Sequence, residues 1–150
     1  MVDFFDEINN LKYVYLISIV EPVDNELLIT IKEATVSSEQ EDLFIGDKNL
    51  GPIRRISSNG PGAEYELFFE SYGSYSITNE SFAMLNKNDE RTGRVFCVYS
   101  KSSYLDYIRE TTLVNYTYDH NNTLGHYAVN CQNHVVDIVS IDKPLIKRIA

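Results

Sequence analysis

Residues 125–140 read GHYAVNCQNHVVDIVS, and this stretch decides the fold. Polar and apolar residues alternate on each side of Gln132-Asn133, which predicts two β-strands joined by a turn. In the resulting hairpin Cys131 lies opposite His134, Val129 lies opposite Val136, and Tyr127 lies opposite Ile138. One face then carries mostly apolar side chains: Tyr127, Val129, Cys131, His134, Val136 and Ile138. We therefore predict that this face covers the core of the domain.

The same hairpin separates the possible metal ligands into two sets. Cys131 and His134 lie on the core-facing side, whereas His126 and Asp137 lie on the other. A zinc ion needs three or four ligands that converge at about 2 Å, so these four residues cannot share one. The remaining histidine, His120, lies in a polar loop and could join only one pair. We predict no bound metal, and because no nucleotide-binding or paired CxxC motif is present, we expect no cofactor.

Two pairs on the hairpin are candidates for catalysis, as in a small hydrolase. Cys131 and His134 would have Cβ atoms roughly 4.5–5.5 Å apart, close enough for thiolate formation if they are exposed. His126 and Asp137 form a diagonal pair that could act as a general base. The apolar neighbours of the first pair favour a buried thiol instead. We therefore predict that the protein is not an enzyme and keep both pairs as alternatives.

Alternation with a period of two continues in the N-terminal part of the chain. Residues Tyr13–Val20 are apolar on both faces, which predicts a central strand. After a turn at Asp24-Asn25, alternation over Leu27–Ile31 predicts a second strand that pairs with the first. These two strands should form a hairpin.

The cleanest alternation lies in Glu64–Ser71. The pattern places three apolar side chains inward and the glutamates outward; the inward residues are Tyr65, Leu67 and Phe69. Gly73-Ser74 suits a two-residue hairpin loop, with glycine at the first central position. We predict that Tyr75 and Ile77 continue inward on the return strand.

Two short helices complete the predicted elements. Ser103 as N-cap, with Asp106 reaching back, fits a capping box, and the helix should end near Thr111. A second helix is predicted over Val2–Asn10. The chain is thus predicted to be a single α+β domain over 1–150, predominantly antiparallel β, forming a curved sheet or sandwich of about seven or eight strands with one or two short helices.

The charge of the chain is unevenly distributed. Residues 1–90 contain 17 acidic and 6 basic side chains, whereas residues 91–150 contain 5 and 7. A negative field repels nucleic acid and anionic membranes and attracts basic partners. The N-terminal sequence lacks the basic segment of a secretory signal, and no apolar run is long enough to span a bilayer. Two cysteines are too few for a disulfide framework. These features predict a cytoplasmic protein with a basic protein partner, no nucleic acid and no membrane.

Acidic and aromatic residues indicate a candidate binding surface. Residues 37–50, SSEQEDLFIGDKNL, are predicted to form an acidic loop. The chain has eleven tyrosines and no tryptophan, and tyrosine is enriched at protein–protein contacts, although it is also a good strand residue. The candidate contacts are four acids with one tyrosine as an aromatic anchor: Glu39, Glu41, Asp42, Asp47 and Tyr72.

Three segments resemble small bacterial proteins that include toxin-neutralising immunity proteins. They are ESYGSYSITNESF (70–82), FCVYSKSSYLDYI (96–108) and GHYAVNCQNHVVDIVS (125–140). The resemblance implies an acidic cytoplasmic protein that blocks a toxin domain, often a nuclease, by covering its active site or a nearby surface. The alternatives from the residues themselves are a generic protein-binding or structural module and the small hydrolase described above.

Overall fold

The computed structural model describes residues 3–117 and 124–150, and within them it confirms a mostly antiparallel β-protein with short helices. The strands are β1 (Val14–Val20), β2 (Leu27–Glu33), β3 (Thr35–Val36), β4 (Glu41–Ile45), β5 (Lys48–Ile53), β6 (Ile56–Ser57), β7 (Glu64–Phe69), β8 (Ser74–Asn79), β9 (Glu90–Thr92), β10 (Phe96–Lys101), β11 (Gly125–Asn130), β12 (His134–Ser140) and β13 (Leu145–Arg148). The helices are α1 (Phe5–Asn10), α2 (Ser103–Thr111) and α3 (Val114–Thr117), with a 3-10 turn at Glu80–Phe82.

Two antiparallel sheets enclose the main core. Their strand orders are β1-β2-β7-β13 and β8-β12-β11-β10-β9. The inward side chains of both sheets belong to one apolar cluster, which α1 extends through the fully buried Ile8. Phe69 and Tyr127 meet across the layers with ring centroids 5.8 Å apart. The arrangement is a sandwich, one of the two architectures that the sequence predicts.

The hairpin at residues 125–140 forms the centre of the five-stranded sheet. Tyr127 pairs with Ile138, Val129 pairs with Val136, and the Cys131 N–H donates to the His134 carbonyl oxygen at 2.8 Å. This register confirms the predicted division of its side chains between two faces. The inward alternation of β7 is also confirmed, since the three residues predicted to face inward are almost completely buried.

The predicted hairpin between β7 and β8 is wrong. β8 pairs with β12 in the other sheet, because the chain crosses from one layer to the other after β7. The crossing is fixed where the Gly73 N–H donates to the Val139 carbonyl at 2.7 Å. Tyr75 does pack against the core, but Ile77, predicted inward, is 44% exposed on this edge strand.

Three further details differ from the sequence-based expectation. β1 is an edge strand and not a central one, with a register irregularity between Leu16 and Ser18. The N-cap of α2 is Ser102 and not Ser103: the Ser102 side chain accepts a hydrogen bond from the Leu105 N–H. The described residues contain thirteen strands, more than expected, because several are only two to four residues long and residues 145–148 add an unpredicted strand.

The outer face of the five-stranded sheet is partly covered by helices. Ile108 of α2 and Val114 of α3 form a second apolar cluster with Leu124 and with Val139 of β12. The covered end of this face holds a buried polar network, and its other end is open. None of the helices in the described ranges is long and apolar enough to cross a membrane.

Candidate functional site

Residues 35–57 form a two-stranded extension, which is called the arm. Its base is the pairing of β3 with β6, its outer part is the pairing of β4 with β5, and it pairs with no strand of the two main sheets. The base is joined to β1 by the Tyr15 hydroxyl, which donates to the Ile56 carbonyl at 3.3 Å. The prediction of a loop over residues 37–50 is therefore wrong. The two-residue loop Gly46-Asp47 closes the hairpin, and Gly46 has the positive φ of 61° that its first position needs.

The outer part of the arm exposes an unusual amount of apolar surface. Every residue of β4 is exposed, and Phe44 and Ile45 are 58% and 68% exposed. The register places Ile45 opposite Lys48. A β-bulge lies near Gly51, whose φ is 100°, and there two residues of β5 face one residue of β4. Alternation from this register puts Leu43, Ile45 and Leu50 on one face and Phe44 on the other.

The structure brings the four predicted acidic contacts together on the arm. Glu39 precedes β4, Glu41 and Asp42 lie on β4, and Asp47 lies in the tip loop; all are exposed. Glu41 is engaged within the arm, because its carboxylate accepts from Arg55 Nε at 2.8 Å. The other three acids make no ion pair with any residue that the structure describes.

Tyr72, the predicted aromatic anchor, lies elsewhere. Its hydroxyl donates to Glu21 at 2.5 Å, and its ring meets Tyr75 edge-on with centroids 4.9 Å apart. The hydrogen bond to Glu21, followed by burial, raises the pKa of Tyr72 to about 12. Glu21 follows the last residue of β1, whereas the base of the arm lies beside its first residues. The length of the strand therefore separates Tyr72 from the arm by roughly 20 Å.

The predicted pair His126 and Asp137 is real and includes a third residue. His126 Nε2 lies 2.7 Å from Asp137 Oδ1, and His126 Nδ1 lies 2.6 Å from the Ser102 hydroxyl. The hairpin pattern predicts that His126 and Asp137 share a face. It does not predict Ser102, which approaches from the start of α2, 24 residues earlier in the chain.

This serine–histidine–aspartate arrangement is built as a structural connection between α2 and the sheet. Ser102 and His126 are buried, with only 7% and 2% exposure. Tyr99 stacks on the imidazole at 4.0 Å between centroids and Tyr104 approaches it at 4.9 Å, so aromatic rings cover the histidine. The serine hydroxyl also caps the helix, because it accepts a hydrogen bond from the Leu105 N–H. A nucleophile needs access to a substrate carbonyl, and this hydroxyl has none.

The alternative pair, Cys131 and His134, lacks the features of an activated thiol. Burial raises the pKa of Cys131 to about 12, whereas activation requires a pKa lowered by a nearby positive charge. The contact between the two residues is the backbone hydrogen bond of the hairpin. His134 Nδ1 is buried without a hydrogen-bond partner among the described residues. The geometry therefore gives this pair no role as nucleophile and base.

Residues 3–117 and 124–150 contain no group of three histidine, cysteine, aspartate or glutamate side chains close enough together to hold a metal ion. His120, the third histidine considered as a ligand, lies outside the described residues.

Comparisons with known proteins give this chain no relative: no protein-family model, curated protein or solved structure matches it significantly. The resemblance to immunity proteins therefore stays a prediction.

Proposed function

We propose that the protein is an immunity-type inhibitor that binds a bacterial toxin domain through the arm. The observation that carries the proposal is the exposed apolar surface of the β4–β5 hairpin. The resemblance to immunity proteins indicates that the partner is a toxin domain. The acidic groups on the arm indicate that the partner is positively charged.

The apolar side chains of the arm are costly to expose without a partner. Burying an aliphatic or aromatic side chain of this size contributes roughly 1.5–3 kcal/mol. Four such residues lie within eight positions of the arm, Leu43, Phe44, Ile45 and Leu50, and each is at least 40% exposed. Single exposed apolar residues are common on protein surfaces, but Leu43, Ile45 and Leu50 share one face of a projecting element, which is typical of a binding surface, and Phe44 adds apolar surface on the other face.

The acidic residues complete an interface of ordinary anatomy, with an apolar centre and a charged rim. Asp42 and Asp47 lie at the two ends of the apolar segment of β4, and Glu39 lies nearer the base. Such a rim favours a basic partner and speeds the encounter with it. Phe44 and Ile45 take the anchoring role for which Tyr72 is too distant.

A growth-rescue assay tests this function. A toxin domain chosen from the proteins encoded by neighbouring genes is produced in a bacterial host together with wild-type protein or with the variant Phe44→Ser, Ile45→Ser. We expect wild type to restore growth and to co-purify with the toxin domain, and we expect the variant to fail in both. Leu145→Ser is the matched control, since Leu145 is 60% exposed on β13, away from the arm.

The outcomes separate the parts of the proposal. If wild type neither binds the toxin domain nor restores growth, the immunity function is refuted. If the arm variant protects as well as wild type, another surface makes the contact.

Association kinetics test the charged rim. Replacing Asp42 and Asp47 by lysine should slow association and weaken its salt dependence, with a smaller effect on dissociation. These two acids are a sharper choice than Glu41, because reversing Glu41 would also break its ion pair with Arg55. Stopped-flow binding across a salt series measures both rates. An association rate that ignores both the salt concentration and the reversal would remove the rim from the mechanism.

A further inference from the structure

The open end of the outer face of the five-stranded sheet contains a cavity of about 360 Å³. Its floor is formed by β9 to β12, and residues 80–85, which follow β8, line one side of it. Polar groups dominate one part of its lining, and this side supplies three largely exposed apolar side chains, Ala83, Met84 and Leu85. The cavity lies on the other side of the sheet from the main core and is not part of the arm.

Arg91 lines this cavity, and its guanidinium is hydrogen-bonded to the Tyr99 side chain. Its Nη1 is buried and makes no hydrogen bond to any described residue. No carboxylate of the described residues forms an ion pair with it, and arginine is rarely buried without such a partner. Its guanidinium lies near the Tyr99 hydroxyl and opposes the rise in the pKa of Tyr99 that burial causes. A partly buried guanidinium that has an unsatisfied nitrogen and no carboxylate partner among the described residues is a ready site for a carboxylate.

A second arginine lines the same cavity. Arg94 is exposed, and its Nη2 donates to the Leu11 carbonyl, which holds the side chain in place. Asn130 is similarly fixed, because its Nδ2 donates to the Arg94 carbonyl at 2.8 Å. Its amide oxygen is then an available acceptor.

The cavity is not simply positive. Asp137 and Glu80 also line it, and the Asp137 side chain is 20% exposed. Only Oδ1 of Asp137 is bonded to His126, so Oδ2 can accept a hydrogen bond from a ligand. A multiply charged anion such as phosphate would be repelled by these acids. A ligand that carries one carboxylate and one ammonium group complements both sets of charges.

We propose that this cavity binds a free α-amino acid. The carboxylate of the ligand pairs with Arg91 and Arg94, its ammonium group donates to Asp137, and its side chain lies against the apolar side chains of residues 83–85. A cavity of about 360 Å³ is within the range of small-ligand sites and has room for any single amino acid. The proposal is independent of the inhibitor function of the arm.

The test is binding of amino acids to the full-length protein. Thermal-shift measurements with each proteinogenic L-amino acid at millimolar concentration identify the best ligand, and calorimetry measures its affinity. Arg91→Met should weaken binding by roughly tenfold to a hundredfold, as expected for loss of a charged hydrogen bond. Arg148→Met is the matched control: Arg148 is an exposed arginine on the other sheet, paired with Glu7, and its loss should leave the affinity unchanged.

Two analogues of the best ligand decide the chemistry with the wild-type protein alone. The carboxamide lacks the carboxylate, and the deamino acid lacks the ammonium group, so both should bind at least about tenfold more weakly. If no amino acid stabilises the protein, or if either analogue binds as well as the parent, the proposal is overturned. An affinity unchanged by Arg91→Met in a folded variant would also overturn it.

Discussion

Replacing Ser102 by alanine distinguishes a structural from a catalytic role for the buried serine–histidine–aspartate network. In the structure the Ser102 hydroxyl makes two contacts: it accepts from the Leu105 N–H at 2.9 Å and lies 2.6 Å from His126 Nδ1. The first contact caps α2, and the second satisfies a ring nitrogen of a histidine that is only 2% exposed. Removing the hydroxyl therefore affects the helix and the sheet together.

The expected cost follows from these two contacts. Loss of a serine N-cap destabilises a protein by about 1 kcal/mol. Leaving a buried polar atom without a partner costs about 1–3 kcal/mol more, so we predict a total of about 2–4 kcal/mol for Ser102→Ala. Ser103→Ala is the matched control, because Ser103 is exposed and its hydroxyl contacts Asp89 and Asn86 at the surface. Its cost should stay within about 1 kcal/mol.

Urea unfolding followed by circular dichroism measures both variants. The free energy of unfolding should fall in Ser102→Ala with an unchanged denaturant slope, since the surface exposed on unfolding is the same. A catalytic serine would behave differently, because removing a nucleophile usually leaves stability unchanged or increases it. If Ser102→Ala is no less stable than Ser103→Ala, the structural interpretation of the network is refuted.

Three further predictions concern the core, a buried phenol and the arm. Phe69→Ala should destabilise by about 3–5 kcal/mol and Glu70→Ala by no more than about 0.5 kcal/mol in chemical denaturation; equal costs would contradict the inward alternation of β7. Burial, followed by the bond to Glu7, raises the pKa of Tyr65 from 10.0 to about 12. Because the folded pKa is the higher one, this stabilisation is complete below about pH 10 and is lost as the pH rises towards 12. In unfolding measurements from pH 9 to 12, Tyr65→Phe should therefore lose less stability than wild type, and the loss that remains includes that of Tyr72, whose pKa is also raised. Ile45→Ser should change the free energy of unfolding by less than about 0.5 kcal/mol, since Ile45 is largely exposed; a larger loss would mean that the arm packs on the domain.

The parts of the fold that follow from local patterns could be predicted from the sequence. The hairpin of β11 and β12 has alternation and a turn within 16 residues, and its register is as expected. The pairing of β7 with β8 was predicted wrongly because a glycine-containing turn marks a change of direction but does not show which sheet the next strand joins. That choice depends on contacts with β12, about 60 residues later in the chain.

The candidate sites show the same limit. Sequence alternation places His126 and Asp137 on one face, but the arrival of Ser102 depends on how α2 packs over the sheet. The acidic residues of the arm were predicted as contacts from charge alone. Their apolar neighbours Phe44 and Ile45 gave no equivalent signal, because a short apolar run in a sequence is equally consistent with burial.

The edges of the main sheets support the view that the exposed arm is a binding surface. Three of the outer strands carry features that oppose unspecific pairing: β13 has Lys147 and Arg148, β9 has Glu90 and Arg91, and β1 has a register irregularity. The arm differs, because its charges lie at the tip and the base while the side chains between them are apolar. An apolar surface of this kind promotes association, and evolution readily replaces it by polar residues when it has no partner. Its presence on a chain that protects three of its four sheet edges is the physical reason to expect a specific partner there.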